Sequence, residues 1–223
     1  MDSIFKGDLS TGRGRLVAWI DALFVDHAIL RLGFSNFSVV SPGKLYRSNH
    51  PPPGRLARLS RRYGLKTVIN LRGKTGNGSD ALTREMATRL GLGFIDMPIS
   101  SKTAPPRDRI LRLHAVLIGM PGPALIHCKS GSDRAGFAAA LFVLFQGGKV
   151  AAARRQLSWR FGHLSNSKAG VLDAFFLRFQ REAEGRKSFI DWVREDYDEQ
   201  ALGRDFHAGG LSSFVNDKVL ARE

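Results

Sequence analysis

Cysteine is almost missing from this sequence: Cys128 is the only one in 223 residues. A single thiol excludes an intramolecular disulfide and a zinc cage built from cysteines, and it fits a reducing compartment in which a reactive thiol survives. Cytoplasmic placement is therefore the expectation. Long apolar runs are missing too. The longest, which contains Ala138 to Phe145, is far too short to cross a bilayer, which takes about 20 residues. Leu16 to Phe34 is broken by Asp21, Asp26, His27 and Arg31 and has no convincing cleavage site, so neither a signal peptide nor a span is expected there. No internal repeat is found. Acid is scarce: 20 Asp and Glu stand against 34 Lys and Arg, a formal net charge of +14. Such an excess concentrates anionic partners, whether nucleic acid, anionic lipid or phosphorylated protein. The arginines are dispersed and no recognised nucleic-acid-binding motif is present, which makes nucleic acid the weakest of these expectations.

A hydrophobic content of 43% is enough to bury a full core. Residues 1–35 form a polar segment and an amphipathic helix, 36–185 the main body, and 186–223 a C-terminal helix and tail. In the first of these, Leu16, Ile20, Leu23, Phe24, His27 and Leu30 fall near one face at helical spacing, a face suited to packing on the domain. Packing is the first expectation; Trp19 with Arg13 and Arg15 would also suit an anionic membrane surface or a partner. Within the main body, strands and helices alternate: a hairpin over residues 37–47, a helix ended by Gly64, a strand from Thr67 and another from Phe94, with helices between and after. That order argues for an α/β fold, a central mainly parallel sheet flanked by helices. Later helices are expected over 150–159, 170–183 and 188–197. A Gly-rich polar tail would follow, wrapping the domain and disordered over about its last ten residues.

The most informative stretch is His127-Cys128-Lys129-Ser130-Gly131-Ser132-Asp133-Arg134-Ala135-Gly136. An apolar strand (Ala124, Leu125, Ile126) precedes it and a helix follows, so residues 128–134 form a strand-to-helix loop. Backbone N–H groups converging at a helix N-terminus attract an anion such as phosphate, and the same field favours the thiolate of Cys128. The planar fork of Arg134 can grip two phosphate oxygens. Gly131 permits a tight turn with no Cβ facing the anion.

This segment resembles the signature loop of the protein tyrosine phosphatase superfamily: Cys-x5-Arg, preceded by His and followed by a small residue and Gly. Lys129 and Asp133 bring it closest to the atypical bacterial tyrosine and lipid phosphatases. The resemblance implies a dual-specificity-like, tyrosine-phosphatase-like fold and a phosphomonoester hydrolase. Cys128 would form a phosphocysteine intermediate and Arg134 would bind phosphate and stabilise the transition state. His127 would be structural, and Lys129, Ser130, Gly131 and Ser132 would contact substrate. It implies no cofactor and no metal. The substrates would be phosphotyrosine or phosphoprotein, or phosphoinositide-type lipid.

Two positions depart from the bacterial pattern. Ser132 stands where that group has Lys, and Ala135 where most members carry a Ser or Thr whose hydroxyl helps the cysteine leave. A module that captures phosphorylated ligands without turnover is the alternative reading.

The proton donor has several candidates. Asp133 matches a loop aspartate considered for that role in the bacterial group; like-charge repulsion from a bound dianion drives it toward its protonated form, with Arg134 acting the other way. Asp96, in a strand, and Asp108, at a helix start, are the others, and the absence of a dedicated acid is the remaining alternative. Tyr46-Arg47-Ser48-Asn49-His50-Pro51 resembles the Tyr-Arg-Ser-x-x-Pro segment of dual-specificity domains, where the arginine is usually structural. Arg47, Arg72 and His163 are left open between a place in the pocket and a place in the scaffold.

Overall fold

The computed structural model describes residues 3–31 and 33–208. In chain order the elements are α1 (Gly12–Ile20), β1 (Ser38–Ser41), β2 (Leu45–Ser48), α2 (Pro53–Tyr63), β3 (Thr67–Asn70), α3 (Gly78–Arg89), β4 (Gly93–Asp96), α4 (Arg107–Gly119), β5 (Ala124–His127), α5 (Asp133–Phe145), α6 (Val150–Arg154), α7 (Val171–Glu182), α8 (Phe189–Glu195) and α9 (Glu199–Ala208). The chain divides into two compact units, Met1–Ile99 with Ile118–Ala139, and Ser100–Leu117 with Ala140–Glu223.

The first unit holds the sheet. Its five strands run in the order β1-β2-β5-β3-β4; β1 is antiparallel to β2 and every other pair is parallel. The expected mainly parallel sheet with flanking helices is therefore present, with an N-terminal helix. Because side chains alternate along a strand, register decides what each face carries. Tyr46, Leu125, Val68 and Phe94 share one row. Leu56 and Leu59 of α2 and Met86 and Ala87 of α3 pack against it. Burying each such leucine contributes about 1.5–3 kcal/mol. Two residues on, the same face ends in the polar row Ser48, His127, Asn70 and Asp96, at the carboxyl edge of the parallel strands.

The N-terminal segment corrects the sequence reading. Leu16, Ile20 and Phe24, three members of the face expected to pack inward, are exposed, while Ala18, Asp21, Ala22 and Asp26 are buried. Leu30's side chain lies outside what the structure describes. Two causes act together. A π-helical turn over Asp21–Val25 rotates the residues that follow it off the α-helical period. Asp21, moreover, is held inside by donors: the N–H groups of Ile4 (2.8 Å) and Gly78 (2.7 Å) and the Ser3 hydroxyl (3.0 Å) all bond to its carboxylate. The contact is close. A Cβ on Gly78 would stand 2.1 Å from the Ala18 carbonyl oxygen, so only glycine fits at 78, where α1 meets the start of α3.

The second unit is built around aromatic side chains. Phe175 and Phe179 of α7 meet Phe189 and Trp192 of α8 and Tyr197, with ring centroids 4.9 Å apart for Phe175–Tyr197 and 5.3 Å for Phe179–Trp192. The polar ends of these rings are satisfied: Trp192 Nε1 donates to Glu182 (3.1 Å) and Tyr197 Oη to the Pro105 carbonyl (2.8 Å). The helix expected to reach Trp159 stops at Arg154; turns and a 3-10 turn, Trp159–Phe161, follow, closed by Gly162 at φ 79°. Helix α9 stands where irregular chain was expected. The tail proper, 209–223, lies outside the described residues.

Candidate active site

Cys128 follows the last residue of β5, the central strand, and α5 begins at Asp133. The loop between them is shaped from outside by donors that take its carbonyl oxygens. The His50 N–H bonds to Lys129 O (3.2 Å) and Asn36 Nδ2 to Ser130 O (2.8 Å). Arg47 Nη2 bonds to Gly131 O (2.7 Å) and Ser132 O (3.0 Å). In a trans peptide each carbonyl points opposite to the next residue's N–H, so four carbonyls held outward turn the N–H groups of Ser130 to Asp133 the other way. One of them is seen doing so: the Gly131 N–H donates to Cys128 Sγ at 3.2 Å. The Ser132 N–H lies 3.4 Å from the Ser130 hydroxyl oxygen, and amides gathered in this way have the geometry that an anion-binding nest requires.

Gly131 is irreplaceable here for two reasons. Its φ is +79°, and a Cβ would stand 2.6 Å from Asn49 N and 2.8 Å from both Asn36 Cβ and the Ser48 carbonyl carbon. Arg47 is wholly buried. Burial pulls its guanidinium down to about 10, against a pull upward from Cys128 and Asp133, so it remains a cation at neutral pH. Arg134, by contrast, is half-buried at the second position of α5 and has no hydrogen-bond or ion-pair partner among the described residues. One arginine is committed to building the loop, and the other is left beside it with its donors uncommitted.

The same chain pattern is found in known proteins. The family described as PTP-NADK, DSP-PTPase phosphatase fused to NAD+ kinase, matches residues 55–169, just over half of the chain and all of the loop. The chain belongs to this family of the protein tyrosine phosphatase superfamily. It is a phosphatase of the tyrosine/dual-specificity type. No curated protein matches its sequence at a significant level. Among solved structures it is similar to TpbA of P. aeruginosa, with 24% identity, TM-score 0.54, and coverage of 72% of this chain and 89% of TpbA. A Cys-to-Ser form of TpbA in complex with pTyr matches with 24% identity and TM-score 0.54, over 71% of this chain and 88% of that one. The core catalytic domain of the PP-IP phosphatase SIW14 from S. cerevisiae matches with 18% identity and TM-score 0.50, over 74% of this chain and 88% of that one. These likenesses establish the fold.

The remaining candidates of this phosphatase divide between the two units. Asp133 occupies the first turn of α5, half-buried, and accepts from the Ser132 hydroxyl at 3.3 Å. Asp96 is engaged elsewhere: Arg84 Nη2 at 2.6 Å and Asn70 Nδ2 at 3.1 Å bond to it. Asp108 is exposed in the first turn of α4, and both it and His163 belong to the second unit. His163 is buried and bonded to Asp173 at 2.7 Å, with Arg154 3.7 Å from the same carboxylate, which accounts for it as a packing residue. Ala135 is fully buried. His127 is buried in the polar row with its ring edge-on to His50, 4.7 Å between centroids. Burial drives its pKa down to about 3, against a smaller pull upward from the Cys128 backbone, so the ring is neutral.

Three residues of this site were not singled out by sequence reasoning. Asn36 fixes Ser130, as above. Asp26 is buried and makes two bonds to Arg72, at 2.7 and 3.0 Å, and its carboxylate lies 3.5 Å from Lys129 Nζ. His50 joins the same chain of contacts. Arg72 Nη1 stands 3.2 Å from His50 Nδ1, which must accept, placing the ring proton on Nε2 toward Ser79 O (3.2 Å) and Thr83 Oγ1 (3.0 Å). Arg72, left open by the sequence between pocket and scaffold, is thus in an ion pair that ties the N-terminal segment to the loop's rim. The available signal was the two aspartates, Asp21 and Asp26, interrupting an apolar stretch: carboxylates at such places are buried only when paired.

Proposed function

We propose that this phosphatase works through a covalent phosphocysteine. Cys128 Sγ attacks phosphorus as the bond to the leaving oxygen breaks, and Asp133 gives that oxygen its proton. The inward amides of Ser130 to Asp133 and the fork of Arg134 hold the non-bridging oxygens as charge redistributes. Water then attacks the phosphocysteine, its proton passing to Asp133, and Sγ departs. Lys129, Ser130, Gly131 and Ser132 line the approach. The observation that carries this reading is the pairing of Cys128 Sγ with the Gly131 N–H inside a loop whose carbonyls are drawn outward. Ala135, where the signature that this loop resembles has a hydroxyl, slows breakdown of the intermediate unless another group assists it.

The substrates we propose are phosphomonoesters of tyrosine in proteins or of phosphoinositide-type lipids. TpbA has been captured with pTyr, and a net charge of +14 suits an anionic lipid headgroup equally. A phosphate-release panel of phosphotyrosine peptides, phosphoserine peptides and phosphoinositides tests this, with Cys128→Ser as the blank. Release from the first or third class, lost in the variant, supports the reading; release that survives Cys128→Ser contradicts it.

A further inference from the structure

The helical part of the N-terminal segment is inside out for a helix that merely packs on a domain. Its inward residues are Ala18, Asp21, Ala22 and Asp26, whereas Leu16 is 61% exposed, Phe24 57% and Trp19 40%. Ile20 and Ile29 are exposed as well. Single exposed apolar residues are ordinary, but a run of five, including Leu, Trp and Phe, within fourteen positions of one segment marks an interaction surface.

We infer that this stripe seats the protein on an anionic lipid surface. Charge selects that occupant over an apolar protein groove. Between Leu16 and Ile29 the only carboxylates are Asp21 and Asp26, and both are buried, so the outward side carries no negative charge to be repelled. Lys6 and Arg13, just before it, are exposed and have no acidic partner among the described residues, against one exposed acid between them, Asp8. Around them is a chain of net charge +14. Bulky apolar residues with an indole at the boundary, flanked by unpaired cations, are the pattern that binds the interface of a bilayer containing anionic lipid. The segment is also fastened to the phosphatase loop: Asp26 reaches Lys129, and Asn36, the residue just after the segment, reaches Ser130. Docking therefore anchors the loop's own rim. The inference goes beyond the catalytic proposal and does not depend on it, because binding is read without turnover.

The test is co-sedimentation of the full chain with vesicles of phosphatidylcholine alone and of phosphatidylcholine mixed with phosphatidylglycerol, at low and at high salt. The expected result is binding to the mixed vesicles, weakened by salt, and reduced at least about tenfold in the double variant Leu16→Glu with Phe24→Glu. A blue shift of indole emission on binding, absent in Trp19→Phe, places the stripe in the interface. Hydrolysis of p-nitrophenyl phosphate unchanged in the double variant shows that the fold is intact. Failure to bind either vesicle, or binding that the double variant retains in full, overturns the inference. So does concentration-dependent self-association of the wild type that the double variant abolishes, since the occupant would then be a second copy of the chain.

Discussion

Arg47 Nη2 donates to the Gly131 carbonyl oxygen at 2.7 Å across 84 positions of sequence, with the arginine side chain fully buried. The contact converts a cation into scaffolding: it pulls one carbonyl out of the loop and so points the next amide in. Replacing Arg47 by Met leaves two buried carbonyl oxygens, those of Gly131 and Ser132, without their charged donor. The expected cost is about 2–5 kcal/mol in urea unfolding. At a temperature where the variant is still folded, kcat/KM for p-nitrophenyl phosphate falls by at least about tenfold, because amides no longer preset for the anion stabilise it less. An unaltered unfolding midpoint would show that the contact carries no weight.

An ion pair links the N-terminal segment to the same region. Arg72 and Asp26 have side chains only 9% and 3% exposed. Asp26→Ala strands the guanidinium, an expected loss of about 3–5 kcal/mol, whereas Asp26→Ala with Arg72→Met removes both charges and recovers much of it. Chemical denaturation of the two single variants and the double closes this cycle. Additive losses would mean that the pair is not coupled.

Acid sensitivity follows from His127. Its folded pKa of about 3 lies below its ordinary value of 6.5. Below about pH 6.5 the unfolded chain takes up a proton that the folded chain refuses. The stability tied to this group is therefore complete above pH 6.5 and is lost as pH falls toward about 3, at up to about 1.4 kcal/mol per pH unit. Melting temperatures between pH 7 and pH 4 should decline less steeply in His127→Leu than in the wild type, once its own packing change is subtracted at pH 7. Parallel declines would remove His127 from the acid response.

The loop, the strand before it and the helix after it were legible because they are local: spacing, apolar run and turn residues lie within a dozen positions. Arg47 and Asn36 were harder, since their partners are Gly131 and Ser130, and no periodicity signals a side chain that bonds a distant carbonyl. The N-terminal helix was found but turned the wrong way. Apolar spacing at Leu16, Ile20 and Phe24 points to an inward face, yet the donors around Asp21 and the small-residue contact of Ala18 with Gly78 outweigh it. Helix α9 was missed because Gly203 and its charged neighbours weaken the helical pattern.

The central claim is that phosphate passes through Cys128. Acid quenching during turnover of p-nitrophenyl phosphate, followed by mass spectrometry of the peptide containing residue 128, reads it directly. The account predicts one phosphoryl group on Cys128, accumulating because breakdown is slow beside Ala135, less abundant in Ala135→Ser, and absent in Cys128→Ser. Full turnover with no phosphoryl group on this peptide in the wild type, or hydrolysis undiminished in Cys128→Ser, would contradict it.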